Sequence, residues 1–342
     1  MFEKAGYFVD QHTWRSRKIN RSFKPSFYKG TILEHLLLQN LTQFFNVGAH
    51  NYIRLEGADW NDGLDMAVEF GESVAFSCMY ASNLRKLAHF LRYLKKPKVK
   101  LFCEMGILFK ACDYNSVKQK QKILERYFTA VEEGVSGETI SLDSNWLISD
   151  LETKANWLIN HIRKHEWLRE GFYNGYYDNR KRRVEGKING KVRMMLASQT
   201  FAILSGVATD RQIKKIISNV ERYLFDRRLK GYRLNTDFGE EQHNLGRAFS
   251  FVYGEKENGA IFSHMVVMYA YALFSRGFKK EGFKVLNSLY KLSTSKRSKI
   301  YPCLPEYFNN EGRGMYSYLT GSASWFILTC WRFLSKTNNS FE

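Results

Sequence analysis

The sequence predicts an all-α protein whose paired helices form an α/α toroid. Three observations carry this expectation. Apolar residues recur at i, i+3 and i+4 in one segment after another. Strand-like alternation is rare and short. Between the periodic segments lie loops rich in Gly, Asn, Asp and aromatic residues, the usual seat of function when helices supply a rigid frame. Periodicity alone does not separate a toroid from an α-solenoid, but the hairpins show no fixed short period, which weakens the solenoid reading.

Taken in order, Ile32, Leu33, Leu36, Leu37, Leu41 and Phe45 mark a first helix, with Gly48 as its stop. A second runs from Ser73 to Leu94 on Phe76, Met79, Tyr80, Leu84, Leu87 and Leu91. A more charged helical stretch is expected from Lys98 to about Glu133, and another from about Asp150 to Trp167. Met194 to Leu204 reads as a helix closed by Gly206. Thr209 and Gln212 form a capping box for the next, which bears Ile213, Ile216, Ile217, Val220 and Leu224. Helices at Phe262–Arg276, Lys279–Leu292 and Gly321–Leu334 complete the series.

Bulk properties narrow the class. With 342 residues, 44% of them apolar, the chain can bury a large core. Nothing marks an internal boundary, so residues 1–342 are read as a single domain. The five cysteines are scattered and form no CxxC pair, which suits reduced thiols. Together with the lack of a leader-like start and of a membrane-length apolar run, this points to a cytoplasmic protein with no membrane partner. Lys plus Arg exceed Asp plus Glu by 52 − 34 = 18. The excess is spread along the chain, and the small clusters at Lys95–Lys100 and Arg180–Arg183 do not alternate with aromatics. A solvated basic surface, and no nucleic acid, is the reading.

The densest loop is Arg54–Asp65, which places Glu56, Asp59, Asp62 and Asp65 around Trp60. Asn61-Asp62-Gly63 is good turn chemistry, and acidic residues can cap a following helix. That accounts for one or two carboxylates, not four beside an indole. An indole face stacks on the C–H face of a pyranose while carboxylates accept bonds from its hydroxyls. An apolar wall also penalises the charged form of a carboxyl, and the protonated form is what donation to a glycosidic oxygen requires. Calcium is the rival ligand, but the spacing does not match an EF-hand loop, so no metal is expected.

Three further loops carry polar groups to be weighed. Glu255–Gly259 precedes His264 near the start of a helix, where phosphate contact competes with a purely structural role. Thr320, Gly321 and Ser322 open the last helix, either as a plain N-cap or as a small anion nest. Arg313 lies between two glycines and is a candidate for a phosphate or sugar contact. The polar set Arg233–Asp237 has no specific chemical reading.

Together these loops resemble glycoside hydrolase family 94, the inverting phosphorylases of β-linked saccharides. The matching pieces are ADWNDG at Ala58–Gly63, GES at Gly71–Ser73, ENGAIFSH at Glu257–His264 and YLTGSASW at Tyr318–Trp325, in the family's order. GTILEHLLLQNL at Gly30–Leu41, RLNTDFGE at Arg233–Glu240 and LPEYFNNEGRGMYSYLTGSASW at Leu304–Trp325 look most like the 1,2-β-oligoglucan (sophorose-type) branch. The resemblance implies an (α/α)6 toroid, six-hairpin glycosidase-like, incomplete at its N-terminal side. The family's N-terminal β-sandwich and first barrel helices are expected to be absent.

It also implies that Asp62 is the general acid, that Trp60 and Glu257 (with Asp59 beside them) belong to the sugar pocket, and that His264, Thr320 and Gly321 hold phosphate. The implied reaction turns a β-gluco-oligosaccharide and inorganic phosphate into α-glucose 1-phosphate and a shortened sugar, with no cofactor. The rival expectation is an inactive remnant, or one half of a split enzyme, that keeps only sugar and phosphate binding. An open toroid exposes apolar faces, so association is expected, as a homodimer or with an N-terminal fragment.

Overall fold

The computed structural model describes residues 5–6, 28–58, 62–300, 303–317 and 321–334. The chain forms two compact units, one of Met1–Ile53 with Tyr80–Asn160, the other of Arg54–Met79 with His161–Glu342.

In the first unit, helix α1 spans Ile32–Phe45 and starts at Thr31, whose Oγ1 accepts from the Glu34 backbone N–H at 3.0 Å. Helix α2 spans Val74–Leu94, and its residues from Tyr80 on belong to this unit. The expected helix from Lys98 is corrected. Lys98–Phe102 is a strand paired antiparallel with Thr139–Asp143, a 3-10 turn occupies Cys103–Phe109, and helix α3 begins only at Val117. The reason lies in the period. Val99 and Leu101 point inward while Lys98 and Lys100 point out, an alternation of two. Ser116 then caps α3 (Val117–Val131), accepting from the Gln119 N–H at 3.3 Å. Helix α4, Ser144–His165, whose residues up to Asn160 belong to this unit, starts earlier than expected because Asp143 accepts from the Trp146 N–H at 3.0 Å. Leu37, Leu41, Phe45, Leu84, Leu101 and Leu151 meet in the core.

That core also holds two lysines. The ammonium of Lys120 donates to Asn51 Oδ1 at 2.9 Å and lies 3.8 Å from the Trp157 ring and 4.2 Å from the Phe44 ring. Lys154, equally buried, pairs with Asp150. Both face Cys112 electrostatically. Aromatic faces attract a cation but do not replace its water, and burial pushes Lys120 down to about 7.

In the second unit, helix α5 (Leu196–Leu204) is followed by Gly206 at φ +78°, a left-handed position that favours glycine. Thr209 and Gln212 form the expected capping box on helix α6, Asp210–Tyr223. Helix α7 (Ser263–Ser275) is buried on nearly all sides and packs against α5, helix α8 (Lys279–Ser293) and helix α9 (Gly321–Leu334). The all-α expectation is corrected here as well. Short antiparallel strands clamp the loops: Glu72–Ser73 on Tyr176–Tyr177, and Ile261–Phe262 on Tyr307–Phe308, which in turn pairs with Gly314–Met315. The buried carboxylate of Glu185 ties loop to helix, accepting from the Gly175 and Met195 N–H groups at 2.7 Å each and from Ser198. Burial pushes it up to about 8. Among the described residues no helix is long and apolar enough to cross a membrane.

The Lys120 geometry gives a pH signature. Its folded pKa lies below the unfolded value, so the native state binds fewer protons between about 7 and 10.5, and stability rises with pH across that window. Relative to Lys120→Met, the native chain should gain up to about 1 kcal/mol per pH unit between pH 7.5 and 9.5. Urea unfolding of both at the two pH values checks this; parallel stabilities would contradict it.

Candidate functional site

Asp62 lies in the second unit, on a turn packed back to back against the segment 245–248. The Ala248 N–H donates to the Asp62 carbonyl at 2.8 Å, and the Met66 N–H donates to the Leu245 carbonyl at 3.1 Å. Between them, the Arg247 N–H donates to Asp65 Oδ1 at 3.0 Å. The two backbones approach so closely that only glycine fits at 246. A Cβ there would lie 2.1 Å from the Gly63 carbonyl carbon and 2.5 Å from the Asp62 oxygen. From this platform Arg247 reaches back, with Nη2 donating to Asp62 Oδ1 at 2.7 Å and Nε 3.0 Å from Asp65 Oδ2. Both carboxylates, Asp62 first, hold the guanidinium more firmly protonated.

The partner that the structure gives Asp62 is therefore a cation. Of the four acidic residues in this loop, Asp65 is consumed in anchoring that cation. Asp59 and Trp60 lie outside the described residues. The backbone entering them is left-handed at Glu56 (φ +50°) and at Ala58 (φ +46°), costly for residues with a Cβ. The Gly71–Ser73 motif acts on the backbone, because Ser73 Oγ accepts from the Phe76 N–H at 2.9 Å and so starts α2.

Glu257 occupies a tight turn closed by the Asn258 N–H to the Glu255 carbonyl at 3.0 Å. The turn is framed by Arg233 and Asn235, which sequence alone left without a reading. Arg233 Nη1 donates to the Gly259 carbonyl at 2.8 Å while its other nitrogens grip Asp226. Asn235 Oδ1 accepts from the Gly259 N–H at 2.9 Å, and its carbonyl accepts from the Tyr253 hydroxyl at 2.9 Å. Thus held, Glu257 keeps Oε2 buried, without a hydrogen-bond partner among the described residues. Burial foremost, then the charges of Asp62 and Glu306, push its pKa up. Glu257 thus feels the charge of Asp62.

Two helix starts meet at His264. The strand Ile261–Phe262 delivers Ser263 and His264 into the first turn of α7, fixed by the Ser263 N–H donating to the Glu306 carbonyl at 2.8 Å. Gly321 opens α9 against the His264 ring, where a Cβ would come within 2.7 Å of it. Among the described residues, the buried His264 Nε2 and Ser263 Oγ have no hydrogen-bond partner. Burial lowers the pKa of His264. Helix N-termini present free N–H groups and a positive dipole end, the elements of an anion site.

Thr320 lies outside the described residues. Arg313 is exposed at the tip of the hairpin joining Tyr307–Phe308 to Gly314–Met315, where its N–H donates to Asn309 Oδ1 at 3.1 Å. The structure thus links Asp62 with Glu257 electrostatically and sets His264 against Gly321, and it adds Arg247, which no sequence signal singled out. Among the described residues no group of three or more His, Cys, Asp or Glu side chains could hold a metal ion.

Comparison with known proteins gives one family. Its model, the Glycosyl hydrolase 94 superfamily catalytic domain, matches residues 142–334. The match contains Arg247, Glu257, His264 and Gly321; Asp62 precedes it and is bound to it through Arg247 and Ala248. Solabiose phosphorylase of Paenibacillus borealis is 22% identical over 86% of this chain and 34% of its own length. Cyclic beta-(1,2)-glucan synthase NdvB of Rhizobium meliloti is 23% identical over 88% of this chain and 10% of its own. Cellobionic acid phosphorylase of Neurospora crassa is 24% identical over 47% of this chain and 22% of its own. The chain spans at most about a third of the length of these relatives.

The close approach at Gly246 yields a stability test. Gly246→Ala should cost about 1–3 kcal/mol by overpacking, because the obstacle is the Gly63 backbone. Denaturant midpoints measure this, and an unchanged midpoint would contradict the packing described.

Proposed function

We propose a reaction for this chain on the premise that it belongs to the glycosyl hydrolase 94 superfamily: inverting phosphorolysis of a β-linked gluco-oligosaccharide. The product is α-glucose 1-phosphate together with a sugar shortened by one unit. The observation that carries the reading is a set of buried polar atoms without hydrogen-bond partners among the described residues: Glu257 Oε2, whose carboxyl feels the charge of Asp62, and Ser263 Oγ and His264 Nε2 in the first turn of α7. Buried polar atoms without partners are costly unless a ligand completes them. The family and the names of the relatives point to sugar and phosphate as that ligand.

The chemistry asks for one acid. A hydrolase that inverts needs a second carboxylate to activate water, whereas phosphate arrives anionic and attacks the anomeric carbon itself. One of its oxygens forms a bond to C1 on the face opposite the leaving group. The C1–O glycosidic bond breaks, and the proton on Asp62 passes to the departing oxygen. The N–H groups at the starts of α7 and α9, with His264, Gly321 and Thr320, hold the phosphate in line. Glu257, Asp59 and Trp60 hold the sugar, and Arg313 is a further contact at the rim. In the synthetic direction Asp62 takes the proton from the acceptor hydroxyl. No cofactor enters these steps.

Resemblance to the sophorose-type branch favours a β-1,2 linkage, and the α/α toroid with paired helices is the frame proposed for the site. A cytoplasmic location and association of the chain, with itself or with an N-terminal fragment, complete the reading.

The test is to incubate the purified chain with α-glucose 1-phosphate and glucose or sophorose and to follow phosphate release. Release by the chain, or by the chain with an upstream fragment added, supports the proposal. Silence under both conditions sinks it in favour of a sugar- or phosphate-binding remnant. Asp62→Asn should lower turnover by about 10²–10⁴-fold with phosphate binding retained, and unchanged turnover would refute the assignment of the acid.

A further inference from the structure

Arg247 is the one cation that reaches Asp62 by a described hydrogen bond, and its surroundings are those of a built position rather than a chance surface pairing. Its side chain is 66% exposed, and an ion pair so exposed adds little to stability. Yet three contacts and one steric constraint set its place in the chain. Its N–H and Nε both bind Asp65, the next residue's N–H binds the Asp62 carbonyl, and Gly246 before it has no space for a side chain. A guanidinium held this way loses little freedom in making its bond to Asp62, so the bond constrains the carboxylate more than it stabilises the fold. It engages Oδ1.

Resting on the phosphorolysis reading of the same site, we infer that Arg247 is a positioning residue for Asp62. It pins Oδ1 and leaves Oδ2 as the oxygen that exchanges the proton with the glycosidic oxygen. Asp65 is the anchor that keeps Arg247 in place. Neither residue needs to touch the sugar. Among the described residues, the charges that act on Arg247 are those of Asp62, Asp65 and Glu257.

The experiment compares the full chain with Arg247→Met, Arg247→Lys and Arg247→Ala. Turnover by Arg247→Met should fall about 10–100-fold with KM for sugar and phosphate within about twofold, as expected when an acid is misplaced while the substrates stay bound as before. Arg247→Lys should lie between, and free guanidinium ion should restore part of the turnover of Arg247→Ala.

Unchanged turnover, or a raised KM at constant kcat, would overturn the inference, the latter by making Arg247 a substrate-binding residue. A second readout does not depend on turnover. In ¹³C-aspartate-labelled protein, the Asp62 carboxyl resonance, assigned by its loss in Asp62→Asn, should move in Arg247→Met and return part of the way in Arg247→Lys. A native chain without turnover, both alone and with an upstream fragment added, would sink the phosphorolysis reading, and this resonance would then decide the position of Arg247. A resonance that stays put in Arg247→Met would overturn it.

Discussion

Backbone pairing between two segments distant in the chain is the constraint on which the site depends. Residues 245–248 lie against residues 62–66 through N–H to carbonyl bonds at 2.8 and 3.1 Å, and the approach is possible because position 246 is glycine. Backbone bonds of this kind fix a loop without depending on long side chains. The consequence is chemical. The Asp62 turn has no long helix or strand of its own, yet it is held against the part of the chain that leads to Glu257 and His264. Asp65 and Arg247 then complete the clamp with side-chain charges, which cost little to hold because the backbones have already set their separation.

The rest of the site is organised by short strands rather than by the helices themselves. Ile261–Phe262, paired with Tyr307–Phe308, aims the chain into α7 so that His264 falls in the first turn. Helix α7 is buried almost all round, so its N-terminus cannot drift, and α9 packs against it with Gly321 at the His264 ring. Two helix starts are thereby brought to one histidine. Glu257 is held by Arg233 and Asn235 from a separate loop, and its buried carboxyl feels the charge of Asp62. A rigid apolar core and a polar rim are thus joined at the few residues where chemistry is proposed.

Much of this was legible in the sequence, for reasons that differ by element. Helix α9 and the capping box at Thr209 were readable because their signals are local: a periodic apolar face, a cap and a reciprocal partner three residues on. The strand at Lys98 is hidden in the sequence because the charge of the stretch suggests an exposed helix, and the alternation of Val99 and Leu101 with lysines spans too few residues to outweigh that signal. Strands of two residues, such as Ile261–Phe262, have no period to detect. The loops that hold Asp62, Glu257 and His264 were identified from residue type. Arg247 was not, because its partner lies 185 residues away and nothing in Gly-Arg-Ala-Phe marks it. Arg233 and Asn235 were noticed without a role for the same reason: their work is done on Gly259, across a turn that only the fold brings near.

The proposed reaction, with one acid and phosphate as the nucleophile, commits the chemistry to a stereochemical outcome, since phosphate must attack from the face opposite the leaving oxygen. The most direct measurement is the anomeric configuration of the sugar phosphate formed from sophorose and phosphate, read by proton and phosphorus NMR before mutarotation of any free glucose can confuse it. The account predicts α-glucose 1-phosphate. The β-anomer, or glucose released without phosphate, would contradict it.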